Sequence, residues 1–418
     1  MKDAPKLVGY SAISSGLLLW ASRSDVLSVF GTFQSLAMAF LFAAFLWNLF
    51  LAYRVSASPW IKAIVALVSV LVVLPLAGAA NSFLFELALQ IAIFTALALG
   101  LNIVVGLAGL LDLGYVAFFA AGAYVWGIAG SPHLAELLGN SPILQSGGLP
   151  GGYFWLFIFI GIAVAALLGV LIGLPVLKLK GDYLAIVTLG LGEVIRVLAN
   201  NLTPLTGGPI GLPEIKRPVT TWIDGIREPL GLTEAQFSLL FLYLLVLVVI
   251  GIIVIANLRL ENSRVGRAWI AIREDETAAQ AMGIPLVRTK LIAFATGASF
   301  AGVMGVIFAA KQLFISPESF TFFASIGVLS MVILGGMGSI PGVMLGAAVV
   351  TLLNLDVLKA VSEALRPLNL PSELDPAKYE RLLFGIILIL MMVFRPEGLL
   401  PARRQKMEKA LEEDSHAA

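Results

Sequence analysis

Residues 321–353 read TFFASIGVLSMVILGGMGSIPGVMLGAAVVTLL, a long apolar run with an interruption near its centre. The interruption, residues 335–342, is rich in glycine and also contains Pro341. Glycine and proline together break a helix. The sequence therefore predicts two helical segments here rather than one, and this choice decides on which side of a membrane the C-terminus lies.

The composition requires that the chain is embedded in lipid. It is 59% hydrophobic and 13% charged, with a mean hydropathy of +0.97, more apolar surface than one soluble core of 418 residues can bury. Only helices or closed barrels satisfy the backbone in hydrocarbon, and a helical span needs about 20 apolar residues. We therefore expect an all-α, polytopic protein. Besides the two halves of 321–353, the candidate spans are 7–20, 33–52, 61–79, 84–107, 113–130, 153–177, 183–199, 237–258, 291–310 and 382–394.

The distribution of Lys and Arg orients these spans. With the break in 321–353, 17 of the 27 Lys and Arg residues fall on one side and 9 on the other, and Arg196 lies within a span. The positive-inside rule then predicts both termini in the cytoplasm and about ten or eleven crossings, with 7–20 and 183–199 the shortest spans. We expect three regions: extra spans at 1–80, a transmembrane core at 81–401 and a charged tail at 402–418.

Several classes of function have no support in the sequence. The net charge of +1 argues against a nucleic-acid partner. The chain has no Cys and only two His, neither of them within an apolar span. It also lacks the glycine-rich phosphate loop and the His-Glu-x-x-His metal motif. We therefore predict no metal, no catalytic residue and no cofactor bound by this chain, which favours a conduit over an enzyme.

Residues 262–285, NSRVGRAWIAIREDETAAQAMGIP, form a charged island between two apolar spans. Asp275 suits a helix N-cap, Gly283 suits the end of the helix, and Pro285 prevents its continuation. We predict a short helix whose exposed positions include Ala278 and Ala279. Small side chains suit docking into another protein, but an ordinary solvated loop with a helical turn fits the spacing equally well.

Glycine-rich and charged stretches supply candidates for a translocation path. The glycines of residues 100–109 permit close helix packing, or they unwind a helix and expose backbone groups to a substrate. Glu193 and Arg196 are three residues apart, so they lie on one helix face and can pair. Their functional reading is a role in the path, and the alternative is a structural ion pair near the interface.

Five stretches together resemble a known family, the LivM-type permease subunits of ABC importers for branched-chain amino acids. The stretch GDYLAIVTLG at 181–190 is the most specific. The resemblance extends from about residue 84 to residue 401. The matching stretches are 102–124, 180–196 with 206–211, 266–285, 335–339 and 395–401.

The resemblance implies that residues 262–285 couple the permease to an ATPase. Permeases of this class carry a cytoplasmic Glu-Ala-Ala-x-x-x-Gly pattern whose helix seats in a cleft of the ATPase subunit. Thr277 stands where Glu is usual, and Glu276 comes one place early. The expected coupling residues are Glu276, Ala278, Ala279 and Gly283. The expected path residues are Asn102, Gly106, Gly109, Thr188, Glu193 and Arg196.

The resemblance also implies the partners and the location. We expect a second, LivH-type permease that shares the path, two ATPase subunits that bind the ATP, and a periplasmic or tethered protein that delivers Leu, Ile or Val. The expected location is the bacterial inner membrane, with the chain crossing it many times.

Three other functions are alternatives. The first is a sister importer for urea, short amides or other amino acids. The second is a membrane subunit of an ion-pumping respiratory complex, which would need several acids or lysines in mid-span. The third is a secondary transporter that works alone on an ion gradient and has no need of residues 262–285.

Overall fold

The structure is a computed structural model, and most of the chain is described in it. The described residues are 4–23, 34–55, 57–139, 148–176, 179, 181–220, 232–365, 379–395 and 397–401. Over these ranges the elements are helices, and the one β-type pairing is an isolated antiparallel bridge between Leu212 and Ile315. The predicted all-α fold is confirmed, whereas the predicted tail at 402–418 lies outside the described residues.

The α-helices are numbered in chain order. The α-helices of the first half are α1 (Ala4–Arg23), α2 (Gln34–Arg54), α3 (Pro59–Val68), α4 (Leu74–Ala80), α5 (Ser82–Asn102), α6 (Val116–Gly130), α7 (His133–Leu138), α8 (Phe154–Val176), α9 (Asp182–Asn201) and α10 (Thr203–Thr206). Those of the second half are α11 (Glu234–Glu261), α12 (Arg264–Glu274), α13 (Glu276–Ala281), α14 (Leu286–Gln312), α15 (Phe322–Gly335), α16 (Ile340–Leu352), α17 (Leu358–Leu365) and α18 (Glu380–Phe394). Segments of π-helix occupy Ser69–Val73, Ile103–Leu107 and Leu353–Val357, and 3-10 turns occupy Gly151–Tyr153, Gly208–Ile210 and Pro317–Phe320.

Eight helical segments in the described part of the chain are long and apolar enough to cross a membrane, and Val116–Gly130 and Ile340–Leu352 are shorter apolar helices. The chain is therefore a polytopic membrane protein. The segment Tyr183–Asn201 reaches 19 residues and is one of the eight. The count of ten or eleven crossings stays a prediction. The eight segments are Gln34–Ala52, Pro59–Ala80, Ser82–Leu107, Gly151–Val176, Tyr183–Asn201, Glu234–Glu261, Leu286–Gln312 and Pro317–Gly335.

The run that decides the topology is broken where the sequence predicts. Helix α15 ends at Gly335, α16 begins at Ile340, and Gly336 between them has a φ of +117°. Leu399 and Leu400 donate backbone hydrogen bonds to the carbonyls of Leu334 and Gly335, at 2.8 and 3.1 Å. These bonds satisfy two of the carbonyl groups that the end of a helix leaves unpaired.

The chain divides into two compact units, each assembled from separate stretches of sequence. The first comprises Met1–Ala92, Leu230–Leu244 and Ala347–Pro396, and the second comprises Ile93–Pro229, Leu245–Gly346 and Glu397–Ala418. In the first unit, α1 and α2 pack together, and the buried Asn48 amide donates to Ser14 Oγ at 2.7 Å. In the same unit, Tyr243 donates its hydroxyl hydrogen bond to the Val70 carbonyl at 3.0 Å.

The second unit has a core of three helices in very close contact: α6, α8 and α14. A methyl group added at Gly122 of α6 would lie 2.1 Å from the carbonyl oxygen of Gly302 in α14. One added at Gly302 would lie 2.4 Å from the carbonyl oxygen of Gly161 in α8. Helices in lipid gain no hydrophobic driving force by associating, so their association depends on close packing. Small residues make this close approach of the backbones possible. This core supports the sites described below, all of which lie in the second unit.

Candidate functional site

Residues 262–285 form two short helices rather than the single one that the sequence predicts. Helix α12 begins after Ser263, whose Oγ accepts from the Gly266 amide at 3.1 Å. Helix α13 begins after Asp275, whose Oδ1 accepts from the amides of Thr277 and Ala278 at 2.8 and 2.9 Å. The predicted N-cap is thus confirmed. Two local signals could have predicted the first helix. Ser263 is a favoured N-cap residue, and the buried residues of α12 recur at helical spacing.

The end of α13 also agrees with the sequence. Gly283 has a φ of +84°, a left-handed conformation in which glycine is favoured. The Ile284 amide donates back to the Ala279 carbonyl at 3.1 Å, which closes the helix.

The prediction that both Ala278 and Ala279 are exposed is wrong for one of them. Ala278 is exposed, but Ala279 is buried, with 4% of its surface accessible. Residues three apart share a helix face, so Ala279 turns inward together with Glu276. The outer surface belongs instead to Ala278, Gln280, Ala281 and Met282, and Met282 is 84% exposed.

Glu276 has a partner within the chain. Its Oε1 lies 2.9 Å from Nζ of Lys290, in the first turns of α14, and the Lys290 side chain is 3% exposed. A buried ammonium is costly unless it is paired, so this carboxylate holds α13 against α14. Lys290 was not identified from the sequence, although a lysine at the start of an apolar helix could have indicated such a pair.

Helix α12 is joined to the same end of α14 by a tryptophan. Trp269 is fully buried, and its Nε1 donates to the Thr289 carbonyl at 2.8 Å. With the Asp275 cap between α12 and α13 and the Glu276–Lys290 pair, this bond joins α12, α13 and the first turns of α14. We call this set of elements the coupling block, after the role that the sequence resemblance implies for residues 262–285.

A break in the helical path follows α5. The chain passes through the π-helix Ile103–Leu107 and then runs without helix until α6 begins at Val116. Its amide groups find side-chain acceptors: Leu113 donates to Thr188 Oγ1 at 3.1 Å and Val116 to Ser325 Oγ at 3.3 Å. Non-helical backbone in a membrane protein requires such partners. Thr188 therefore supports the break from α9.

Asp112 lies within this break, between the span that ends at Leu107 and α6. Its Oδ1 accepts from the Gly114 amide at 2.9 Å, while Oδ2 is buried and has no hydrogen-bond partner among the described residues. Burial raises the pKa of the Asp112 carboxyl to about 7, an effect that the hydrogen bond from Gly114 opposes.

Asn102 connects this break to the one between α15 and α16. Its Oδ1 accepts from the Gly338 amide at 2.8 Å, and the residue is 1% exposed. A methyl group at Gly106 would lie 2.1 Å from Asn102 Oδ1 and 2.6 Å from the Gly338 nitrogen. The two breaks are therefore in contact, and a glycine is needed where they meet.

The coupling block reaches the first break through one arginine. Arg273, near the end of α12, donates from Nη1 to the carbonyl oxygen of Gly106. A methyl group at Gly109 would lie 2.7 Å from Cγ of Arg273, so the backbone here rests on the aliphatic part of that side chain. Sequence reasoning selected Gly106 and Gly109 but not Arg273.

The charged pair predicted in α9 forms and includes a third member. Arg196 Nε donates to Glu193 Oε1 at 2.8 Å, and its Nη1 donates to Glu318 Oε1 at 2.8 Å. Glu318 comes from the 3-10 turn Pro317–Phe320. The pairing of Glu193 and Arg196 is confirmed, and their role in the path stays a prediction.

Over the residues that the structure describes, many apolar helices and two helix breaks in contact are features of polytopic transport proteins. A family model described as "Branched-chain amino acid transport system / permease component" matches residues 83–392, and the chain belongs to this family. The chain is a permease component of the branched-chain amino acid type, and the matching relatives are named as transport permeases rather than enzymes.

Curated relatives agree with this assignment. The chain is 40% identical over 336 residues to the high-affinity branched-chain amino acid permease LivM of Salmonella typhimurium, covering 77% of this chain and 71% of that protein. It is 40% identical over 329 residues to LivM of Escherichia coli, covering 76% and 69%. It is also 26% identical over 320 residues to LivH of Salmonella typhimurium, covering 76% and 93%. No solved structure matches the chain.

Proposed function

We propose that this chain is one permease subunit of an ATP-driven importer for Leu, Ile and Val. It forms the path with a second, LivH-type permease, and two ATPase subunits on the cytoplasmic side drive it through the coupling block. A periplasmic or tethered protein delivers the amino acid. The observation that carries the proposal is the capped helix α13, which is held to its own chain on one face and open on the other.

The open face of α13 has the chemistry of a docking surface. Ala278 and Ala281 are small and exposed, which lets another backbone approach closely. Met282 exposes 84% of an apolar, adaptable side chain, and burying such a side chain contributes about 1.5–3 kcal/mol. Glu276, turned toward Lys290, stabilises the position of α13 rather than providing the contact with the ATPase.

The face of α9 supports a path that runs beside this helix. The span Tyr183–Asn201 has the lowest mean hydropathy of the eight described spans. Few of its residues are buried within this chain: Leu184, Ala185, Thr188 and Ala199. Glu193 and Arg196 keep 39% and 25% of their side chains exposed. Partly exposed charges in a span avoid lipid, so this face belongs against the aqueous path or the second permease.

The charge distribution supports one orientation of the chain in the membrane. We infer that the coupling block and both termini lie in the cytoplasm of a bacterium and that the chain resides in the inner membrane. The positive-inside rule assigns to the cytoplasm the side on which five basic residues of the coupling block and α14 lie together: Arg264, Arg267, Arg273, Arg288 and Lys290.

A transport assay tests the substrate and the partners together. The chain would be co-expressed with the second permease and the two ATPase subunits, reconstituted in vesicles, and supplied with the binding protein and radiolabelled leucine. ATP-dependent accumulation that unlabelled isoleucine and valine suppress, and urea does not, is the expected result. Uptake without ATPase subunits, or suppression by urea alone, would contradict the proposal.

Site-directed labelling tests the orientation separately. The chain has no Cys, so Met282→Cys creates a single thiol on the exposed tip of α13. In cells that lack the ATPase subunits, which would otherwise cover this tip, the thiol should resist a membrane-impermeant maleimide while the cells are intact and react after permeabilisation. Ile210→Cys is the control, because Ile210 is 79% exposed and precedes α11. If the coupling block after α11 is cytoplasmic, this connection before α11 lies outside the cytoplasm. Labelling of Met282→Cys in intact cells would overturn the docking role.

A further inference from the structure

Arg273 closes the end of a helix that is 167 positions away in sequence. The last carbonyl groups of a helix have no amide partners within it. Two of them accept from the following turn, because the Ala108 and Leu110 amides donate to the carbonyls of Ile103 and Val104 at 3.1 and 3.0 Å. The guanidinium of Arg273 binds the carbonyl of Gly106, and a cation at this end also interacts favourably with the helix dipole.

The fit between Arg273 and the break involves the stem of the side chain as well as its charge. Gly109 has a φ of +68° and places its backbone against Cγ and Cβ of Arg273, which lie 2.7 and 3.0 Å from the position of an added methyl group. The turn after the π-helix is thus held at the guanidinium and along the aliphatic stem. A side chain held at both places transmits displacement better than one held at its tip.

The two ends of this contact belong to different working parts. On one side, Arg273 is two residues before the Asp275 cap of α13, within the coupling block. On the other side, Gly106 lies one turn from Asn102, whose amide oxygen binds the Gly338 amide of the second break. A continuous series of contacts therefore runs from the surface of α13 to both helix breaks.

We propose that Arg273 is a positioning residue that transmits the movement of the coupling block to the paired helix breaks. The inference rests on the proposed function, because it requires that an ATPase moves α13. Arg273 contacts neither substrate nor nucleotide in this scheme. Its contribution is to make the 103–115 segment follow α12 when the coupling block shifts.

The test compares Arg273→Ala with Arg267→Ala in the reconstituted complex. Arg267 is the matched control, since it lies on the same helix and donates to the Asn262 carbonyl, away from the break. Both leucine uptake and ATP hydrolysis are measured, and their ratio gives the number of molecules transported per ATP. This ratio distinguishes loss of transmission from loss of folding, which lowers both rates in parallel.

We expect Arg273→Ala to lower the ratio about tenfold while ATP hydrolysis stays within about twofold of wild type, and Arg267→Ala to leave both unchanged. Arg273→Lys, which restores one cationic donor, should recover part of the ratio. If the alanine variant does not assemble, Arg273→Gln is judged by the same criteria. An unchanged ratio, or a parallel fall in uptake and hydrolysis, would overturn the role of Arg273. Failure of the wild-type complex to hydrolyse ATP or take up leucine would instead count against the proposed function.

Discussion

Removing the carboxylate of Glu276 should loosen α13, because the buried ammonium group of Lys290 then loses the carboxylate with which it pairs. The two charges are 2.9 Å apart, which corresponds to about 6 kcal/mol of attraction at an effective dielectric constant of about 20. Breaking a fully buried pair typically costs about 3–5 kcal/mol. Since Glu276 is 25% exposed, we expect Glu276→Ala to cost about 2–3 kcal/mol after allowance for solvent screening.

The two partners are not equivalent, and this difference makes the prediction specific. Lys290→Met replaces a buried ammonium by an apolar side chain of similar length and leaves Glu276 in contact with water. We therefore expect a cost below about 1 kcal/mol for Lys290→Met. The double variant Glu276→Ala with Lys290→Met should resemble the Lys290→Met variant, because it no longer contains an unpaired buried charge.

Hydrogen exchange of the amides in 276–284, measured by mass spectrometry on the purified chain, reports this local opening. An opening free energy lowered by about 2–3 kcal/mol accelerates exchange about 30- to 150-fold. Glu276→Ala should show this acceleration, and Lys290→Met and the double variant should stay within about fivefold of wild type. The exposed Gln280→Ala is the control. Equal effects of the two single variants, or a double variant as fast as Glu276→Ala, would refute the reasoning.

Three further predictions concern the stability of the isolated chain in detergent, followed by intrinsic tryptophan fluorescence. Gly122→Ala forces a methyl group to 2.1 Å from a backbone oxygen and should lower the unfolding temperature, with a loss of stability of about 1–3 kcal/mol or more. Gly190→Ala is the control, because its methyl group enters open space and should raise the unfolding temperature slightly. Equal effects of the two variants would contradict the close packing at Gly122. Thr188→Val keeps the volume but leaves the Leu113 amide without its acceptor, so a cost of about 1–3 kcal/mol is expected; no change would show that this bond does not support the break. The raised pKa of Asp112, about 7 against an ordinary 3.8, means that the folded chain holds its proton to higher pH than the unfolded chain. Wild-type stability should therefore fall from about pH 4 to pH 7, by up to about 1.4 kcal/mol per pH unit, relative to Asp112→Asn, and parallel profiles would count against a buried, protonated carboxyl.

Local patterns predicted the parts of the fold that depend on neighbours in sequence. The break after Gly335 follows from glycine and proline, the start of α13 from the capping preference of Asp275, and the Glu193–Arg196 pair from i, i+3 spacing on a helix. In each case the physical cause acts within one or two turns.

Contacts between distant positions could not be obtained in this way. Glu318 joins Arg196 from 122 positions away, and Asn102 reaches Gly338 across 236. The burial of Ala279 also depends on which face of α13 meets α14, and a six-residue helix of mixed composition does not encode that choice in its own spacing.

The charges of the coupling block explain how one short helix can be firmly held and still offer the docking surface that we propose. Charged and aromatic side chains, Glu276 with Lys290 and Trp269, are used for attachment within the chain, where burial strengthens them. The outer face is left with Ala278 and Met282, which carry no charge to desolvate when a partner covers them. Substitutions on the outer face should therefore change docking with little effect on stability, whereas substitutions on the inner face change both. Two variants with equal loss of uptake, one at Ala278 and one at Glu276, should therefore differ in the hydrogen exchange of α13. Faster exchange is expected only for the Glu276 variant, and this difference separates a loosened helix from a docking defect.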